Sequence, residues 1–535
     1  MLTLNTAQQA AVNAIQAQLG QFGVMMLNGI TGSGKTEVYM RAMQAVLAFN
    51  QQVLVLVPEI NLTPQTIQQF QDRFAEPIAV QHSNLSPRAR LLMWQQVRAG
   101  AVRILIGTRS AIFASFKQLG LIIVDEEHDV SYKQQERFRY HARDLAVVRA
   151  QLNQIPVVLG SATPSLETLA NVERKRYQSL FLTERAGQAS LPTFHLVNLI
   201  KEKNVQAGLS APLLAAMQQQ LSAGKQVMLF LNRRGFAPTL YCPHCTRTVD
   251  CAHCDMRMVY HQKPPRLHCH HCESVMLVPQ VCPHCREEGL LPIGLGTQRI
   301  ESALQSQFEN MPIIRMDRDS TKNKGSLEAL LQQINEQTPA ILLGTQMLAK
   351  GHHFPRVTLV GIVDADSGLF SADFRGSEQM GQLLLQVAGR AGRALDAGQV
   401  WVQTRHPTHP LLQQLLTQGY GPFAETLLAE RKIVALPPYH FMATLRAHAK
   451  EEPIADSFLK QARAAIEKRF PAVHLIGPLA TLFPKRKGLH AKQLIFKSAS
   501  RVPLHNCLKA VEDYLASMKV AKRVKWVLDI DPVEV

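Results

Sequence analysis

Two short stretches carry residue types that could handle a nucleoside triphosphate. GITGSGKT at Gly29–Thr36 matches G-x-x-x-x-G-K-[ST]. In such a loop (Gly29, Ile30, Thr31, Gly32, Ser33, Gly34, Lys35, Thr36) the glycines let backbone N–H groups approach phosphate oxygens. The lysine adds a point charge, and the final hydroxyl can reach a magnesium ion. LIIVDEEH at Leu121–His128 ends an apolar run in adjacent carboxylates, at the strand end where open parallel sheets place their ligands. The third chemical set is sulfur. Eight of the nine cysteines form four C-x-x-C pairs: Cys242/Cys245, Cys251/Cys254, Cys269/Cys272 and Cys282/Cys285. Such a cluster reads as two structural zinc sites of four thiolates each, and the spacing leaves the pairing open. Cys507 stands apart and reads as a small buried hydrophobe.

Those residues need a scaffold, and the chain supplies an alternating one. A strand-like run, Val24–Leu27, precedes the glycine-rich loop, and a helix-like run, Glu37–Val46, follows it. Further apolar strands are expected at Val53–Val57, Ile104–Ile106, Leu121–Val124 and Val157–Leu159. A second series runs through Gln226–Leu231, Ile313–Met316, Ala340–Leu343, Leu359–Val363 and Gln399–Gln403. Strands alternating with helices predict parallel α/β sheets. At 535 residues the chain exceeds a single core of about 250–300 residues. The expected division is a first lobe over 1–188 and a second over 189–239 and 289–434. A cysteine-rich insert over 240–288 and a small α/β domain over 435–535 complete it. Only the first lobe has a phosphate loop, so the cleft is expected between the lobes.

The net charge of +17 points to a polyanionic partner, nucleic acid in the first instance. The opening segment has no basic residue before Lys35 and does not resemble a secretory signal. No apolar run approaches the about 18 residues of a membrane span. A cytoplasmic protein with no membrane partner is expected.

The ordered loops LNTAQ (Leu4–Gln8), GTRSAIF (Gly107–Phe113), DEEH, GSATPS (Gly160–Ser165), LNRRGF (Leu231–Phe236), GTQMLAKGHHFPRV (Gly344–Val357) and QVAGRAGR (Gln386–Arg393) resemble the superfamily 2 helicases. Their wording, with the cysteine insert, is similar to the bacterial replication-restart helicases over essentially the whole chain. The resemblance implies two RecA-like helicase lobes, ATP and Mg²⁺ as ligands, and two structural Zn²⁺ ions. It also implies an ATP-dependent 3′→5′ DNA helicase that acts at stalled or branched forks to restart replication. Expected partners are branched and single-stranded DNA, other primosome proteins, single-stranded DNA-binding protein and the replicative helicase-loading machinery. A scaffold that binds forks and proteins under ATP control, with little unwinding of its own, is the competing reading. Relatives of this kind carry further DNA-binding domains ahead of the motor, so weakened fork recognition is expected.

The resemblance assigns roles by position. Lys35, Thr36 and Asp125 would serve the phosphates and metal, and Glu126 would polarise the attacking water. Arg390 and Arg393 would deliver positive charge from the second lobe; the plainer reading of each is an interlobe salt bridge. Gln8 would contact adenine, although the same segment reads as a helix with Val12, Ile15 and Leu19 on a buried face. Gly351 and Gln386 would complete the cleft. The zinc pairing implied is nested: Cys242, Cys245, Cys282 and Cys285 on one ion; Cys251, Cys254, Cys269 and Cys272 on the other. DVSYKQQERFRYHARD (Asp129–Asp144) interleaves aromatics with cations, a pattern suited to stacked bases and phosphates or to an amphipathic helix. Its DNA candidates are Tyr132, Lys133, Arg137, Phe138, Arg139 and Tyr140, with Arg109 from GTRSAIF. Lys485 and Arg486, in the basic loop Pro484–Gln493, are further candidates if that run does more than face solvent.

Overall fold

The computed structural model describes the chain apart from residues 1–2, 59–63, 84, 186–191, 203, 232–238, 243, 246, 254–257, 263–264, 270–273, 294–296, 317–325, 350–353, 372, 393–397, 487 and 519–523. The first lobe is a seven-stranded sheet. Its strands run in the order Ile78–Gln81, Ile104–Gly107, Gln52–Leu56, Leu119–Asp125, Pro156–Ser161, Gly23–Gly29 and Gln178–Leu182. All its recorded pairings are parallel. The central strands are buried from end to end, as expected when helices cover both faces. One consequence positions the site: every central strand delivers its last residue to the same edge. Asn28 pairs with Ser161, and Asp125 with Gly160. The phosphate loop, DEEH and GSATPS are therefore neighbours.

The second lobe is a six-stranded parallel sheet ordered Ile313–Met316, Ala340–Gly344, Gln226–Phe230, Val357–Ile362, Gln399–Thr404 and Thr193–Asn198. Three strands beyond the apolar series appear at or near sheet margins: Ile78–Gln81, Gln178–Leu182 and Thr193–Asn198. Their partial burial explains why no continuous apolar run marks them. Helix Gly376–Ala388 packs its apolar residues into the core of this lobe. It directs a second set of residues at the first lobe.

The cysteine-rich insert is built from short antiparallel strands. Thr239–Tyr241 pairs with Leu291–Ile293 at its base, and Val259–Gln262, Pro265–His268 and Val275–Met276 lie within it. The C-terminal region holds a four-stranded antiparallel sheet ordered His474–Arg486, Leu489–Ser498, Phe441–Ala449 and Lys525–Ile530. Helices Glu452–Ile466 and Arg501–Ser517 cover it, burying Phe458, Leu459, Cys507 and Val511. Burial pushes the Cys507 thiol up to about 11. Pro484–Gln493, expected as a loop, is instead the end of a β-hairpin in which Lys485 pairs with His490. No described helix is long and apolar enough to cross a membrane.

Candidate nucleotide, zinc and nucleic-acid sites

The phosphate loop wraps the start of helix Lys35–Ala48. Its cap is Gly34, held at φ 80° with no side-chain hydrogen bond to the first turn. A side chain would strain that backbone, and the uncapped N–H groups leave a site suited to an anion. Lys35 Nζ donates to Gly29 O at 2.7 Å. Thr36 is exposed on the first turn. Gln8 is buried; its Nε2 donates to Ser33 O at 2.9 Å, and its Oε1 accepts from Asn5 N at 3.0 Å. One end of this amide thus holds the first helix, Thr6–Ala17, to the loop, while the other caps that helix through Asn5.

Asp125 ends its strand under the loop. Tyr39 donates its hydroxyl to Asp125 Oδ1 at 3.0 Å, and the Tyr132 hydroxyl donates to the Asp125 carbonyl at 2.6 Å. Burial, with Glu126 adding negative charge, raises the Asp125 carboxyl to about 6, although Lys35 and Tyr39 oppose the shift. Glu126 sits at φ 46°. Its Oε2 is buried without a hydrogen bond, 3.6 Å from His128 Nδ1. Two carboxylates short of positive charge, one of them with an orphaned oxygen, fit a divalent cation.

His128 joins the two lobes. Its Nδ1 lies 2.7 Å from Ser161 Oγ, and its Nε2 lies 2.8 Å from Gln386 Nε2. With the Gln386 amide donating, the His128 proton sits on Nδ1 and is given to Ser161. Gln386 closes a stripe at i, i+4 and i+8 on its helix. Glu378 accepts from Leu166 N at 3.0 Å, and Gln382 donates to Thr163 O at 3.4 Å. All three are buried. Glu127, next to Glu126, accepts from Ser165 N, Ser165 Oγ, Thr168 Oγ1 and Arg143 Nη1 at 2.7–3.1 Å. Beyond the helix, Gly389 lies so close to the phosphate loop that a methyl group there would come within 2.7 Å of Thr31. Arg185 Nη1 donates to Gly392 O at 3.3 Å. Arg390 follows on the same turn; Arg393 and Gly351 lie outside the described residues.

Sequence reasoning passed over Glu127, Glu378, Gln382 and Arg185. A polar stripe at four-residue spacing within the apolar run of helix Gly376–Ala388 was the available signal for two of them. Arg185 follows a marginal strand that was itself not anticipated.

In the cysteine insert, the thiols of Cys242, Cys245, Cys282 and Cys285 all lie within 4.8 Å of one another. Cys242–Cys285 and Cys245–Cys282 are separated by 3.5 and 3.6 Å. Thiolates at about 2.3 Å from one tetrahedral zinc stand about 3.8 Å apart, so this set fits one ion and matches the outer half of the nested pairing. Cys251 and Cys269 are buried nearby. Their partners Cys254 and Cys272 lie outside the described residues.

The segment after DEEH corrects part of the expectation. It forms no helix before Ala142: a single 3₁₀ turn, Val130–Tyr132, leads into an extended loop closed by a bridge between Lys133 and His141. Tyr132 is fully buried, its single hydroxyl hydrogen shared between the Asp125 carbonyl and Leu56 O, the latter at 3.0 Å, so it has no face for a base. Lys133 is buried as well and paired with Asp529 at 3.0 Å, out of reach of a phosphate. Arg143 is committed to Glu127 and Asp144. Arg139 leans toward Asp529 at 3.8 Å, and Arg109 Nη1 donates to Ser131 O at 3.1 Å.

What faces outward is an aromatic cluster. Phe138 is 70% exposed and Phe113 53%. Tyr140 meets Phe113 edge-on with ring centroids 4.8 Å apart, and Phe138 lies 5.8 Å from Tyr140. Arg137 is exposed beside them. Phe113, the last residue of GTRSAIF, was not singled out beforehand. Lys485 is half-buried on its hairpin, and the Arg486 side chain is outside the described residues. At the hairpin tip, Gly488 N donates to His253 O of the insert at 2.9 Å.

Four family models match the chain in sequence. They are the DEAD/DEAH box helicase over residues 5–172, the PriA DNA helicase Cys-rich region (CRR) domain over 251–276, the helicase conserved C-terminal domain over 295–395, and the primosomal protein N C-terminal domain over 432–533. The Replication restart protein PriA of Haemophilus influenzae is 47% identical, the match covering 99% of this chain and 72% of that protein. That of Bacillus subtilis is 39% identical, over 99% of this chain and 67% of its own length. The Chlamydia pneumoniae protein is 39% identical, over 99% and 72%. The helicase matches support a DNA helicase role, and at these identities and coverages the chain belongs to the PriA family of replication restart proteins.

Proposed function

We propose that this chain is an ATP-dependent 3′→5′ DNA helicase that unwinds duplex at stalled or branched forks and supports primosome assembly. The observation that carries this reading is the hydrogen-bonded line from Gln386 through His128 to Ser161, beside Glu126. It joins the second lobe to the carboxylate loop. In this scheme Lys35 would serve the β- and γ-phosphates, and Thr36 and Asp125 would hold a Mg²⁺ ion, which would supply charge to offset that of the phosphates. Glu126, lacking a hydrogen bond to one oxygen, orients and deprotonates the attacking water. Arg390 and Arg393 meet the charge that develops as the γ-phosphate departs. Gln8 reaches adenine through its second amide hydrogen, and Gly351 and Gln386 line the cleft.

DNA would run over Phe113, Phe138 and Tyr140, with Arg137, Arg109 and Arg139 near its phosphates. Lys485 and Arg486 would touch the duplex arm. Cys242, Cys245, Cys282 and Cys285 would hold one Zn²⁺ ion, and Cys251, Cys254, Cys269 and Cys272 a second, which would brace the insert as a platform. Single-stranded DNA-binding protein and the replicative helicase-loading machinery are the protein partners proposed. The test is unwinding of duplexes with a single 3′ or 5′ tail, with ATP and with a non-hydrolysable analogue. Unwinding of the 3′-tailed duplex alone, and with ATP alone, is expected. Equal activity on both tails, or activity with the analogue, would overturn the assignment.

A further inference from the structure

Lys133 stands where two loops meet. Behind it, the carboxylate loop climbs through consecutive turns: Asp129 N donates to Glu126 O at 2.8 Å, Tyr132 N to Asp129 O at 3.1 Å and Lys133 N to Val130 O at 3.2 Å. The Asp129 carboxylate accepts from Ser131 N at 2.8 Å, and the Tyr132 hydroxyl ties the same turn to the Asp125 carbonyl. Little slack remains between Lys133 and Glu126. Ahead of it, the bridge to His141 closes the loop that carries Phe138 and Tyr140.

An ammonium group has three hydrogens to give. Lys133 Nζ gives two of them to the end of the C-terminal edge strand, to Ile530 O at 2.6 Å and Asp531 O at 3.2 Å, and stands 3.0 Å from Asp529 Oδ1 as an ion pair outside hydrogen-bond geometry. Asp529 is itself 5% exposed. A buried lysine held by two carbonyls and a buried carboxylate of another domain is a fixed point, since leaving a buried charge unpaired is costly.

We infer that Asp529 helps to pin Lys133, and that the C-terminal domain thereby forms the anchor against which the aromatic loop, when DNA displaces it, moves the carboxylate loop. Resting on the ATP-driven helicase reading above, the inference adds a domain to the coupling apparatus. With Lys133 held, a displacement of Phe138 and Tyr140 by DNA passes into the turn at Tyr132 and so to Glu126. With Lys133 released, the loop shifts without carrying the turn along. The C-terminal domain then governs how strongly DNA accelerates hydrolysis rather than how tightly DNA binds.

The experiment compares wild type, Asp529→Ala, Asp529→Asn and Lys133→Met in the full chain. It measures ATP hydrolysis with and without single-stranded DNA, the KM for ATP, and DNA affinity by fluorescence anisotropy. For Asp529→Ala the DNA-stimulated kcat is expected to fall roughly tenfold, within the about 5- to 150-fold range of couplings between sites. Its basal kcat, KM and DNA affinity are expected to stay within about twofold of wild type. Asp529→Asn, which keeps an acceptor for Lys133, recovers part of the stimulation. Should Asp529→Ala melt early, Lys133→Met reports the same loss from the other side. Wild-type stimulation in all three variants would overturn the inference, as would a loss accounted for by weaker DNA binding. Absence of hydrolysis by wild type itself would overturn the helicase reading and the inference with it.

Discussion

The phosphate loop and the aromatic loop sit on the same lobe, yet sequence and structure relate differently in the two. In the first, residue type, spacing and position in the fold agree throughout: strand Gly23–Gly29, loop, helix Lys35–Ala48, and the carboxylates two strands away. In the second, an alternating pattern of aromatics and cations sorts into opposite environments. Tyr132 and Lys133 go inward, while Phe138 and Arg137 stay out. The phosphate loop is shaped by its own strand and helix, whereas the aromatic loop is shaped by what docks on it. Lys133 finds its partner 397 positions away, a separation no local pattern reports.

The sharpest way to break this comparison lies on the nucleotide side. Arg390→Ala is expected to cost about 10³–10⁵ in turnover if it meets transition-state charge, measured as DNA-stimulated kcat. A loss of less than about tenfold would reduce it to an interlobe contact. Next in size is zinc. Removal from the four outer thiolates forfeits roughly 10–16 kcal/mol of apparent binding energy. It should expose backbone amides of the insert to hydrogen exchange while the first lobe keeps its protection and its nucleotide affinity. Loss of protection in both would mean that the insert supports the motor itself.

On the aromatic side the effects should be smaller. Phe138→Ala is expected to weaken single-stranded DNA binding by about 1–3 kcal/mol. Tyr132→Phe, which removes a buried hydrogen bond and no stacking face, should leave DNA affinity unchanged but disturb hydrolysis. Unaltered hydrolysis would mean that the Tyr132 hydroxyl does not hold the carboxylate loop. The smallest effect concerns stability. The Asp125 carboxyl is raised in the fold from 3.8 to about 6, so the folded state holds its proton more tightly. Its contribution to stability is complete below pH 3.8 and is lost as pH rises through about 6. Asp125→Asn should therefore raise Tm by on the order of a few degrees at pH 8 without nucleotide, a gain that fades toward pH 4.

Legibility followed locality. The apolar strands of both lobes, the loops at their ends and the cysteine pairs could be read from the chain because each is encoded within a few residues. Partly exposed strands such as Gln178–Leu182 and Thr193–Asn198 were not, for they lack continuous apolar runs. Glu127 illustrates a different limit. It sits between two residues that were read and is the most enclosed of the carboxylates in DEEH, with hydrogen bonds to Ser165, Thr168 and Arg143. Nothing in four adjacent letters tells which acid faces the nucleotide and which holds the GSATPS loop; only the strand's end geometry separates them. Likewise, Gln386 was placed in the cleft through its motif, but its partner His128 became visible only when the lobes were brought together.

The most direct test of the central claim is steady-state ATP hydrolysis by the full chain alone, with single-stranded DNA and with a forked duplex, beside Glu126→Gln. A motor coupled across the two lobes predicts strong stimulation by DNA that vanishes in Glu126→Gln while nucleotide and DNA binding persist. Hydrolysis that ignores DNA in the folded, zinc-loaded protein, or that survives in Glu126→Gln, would contradict it.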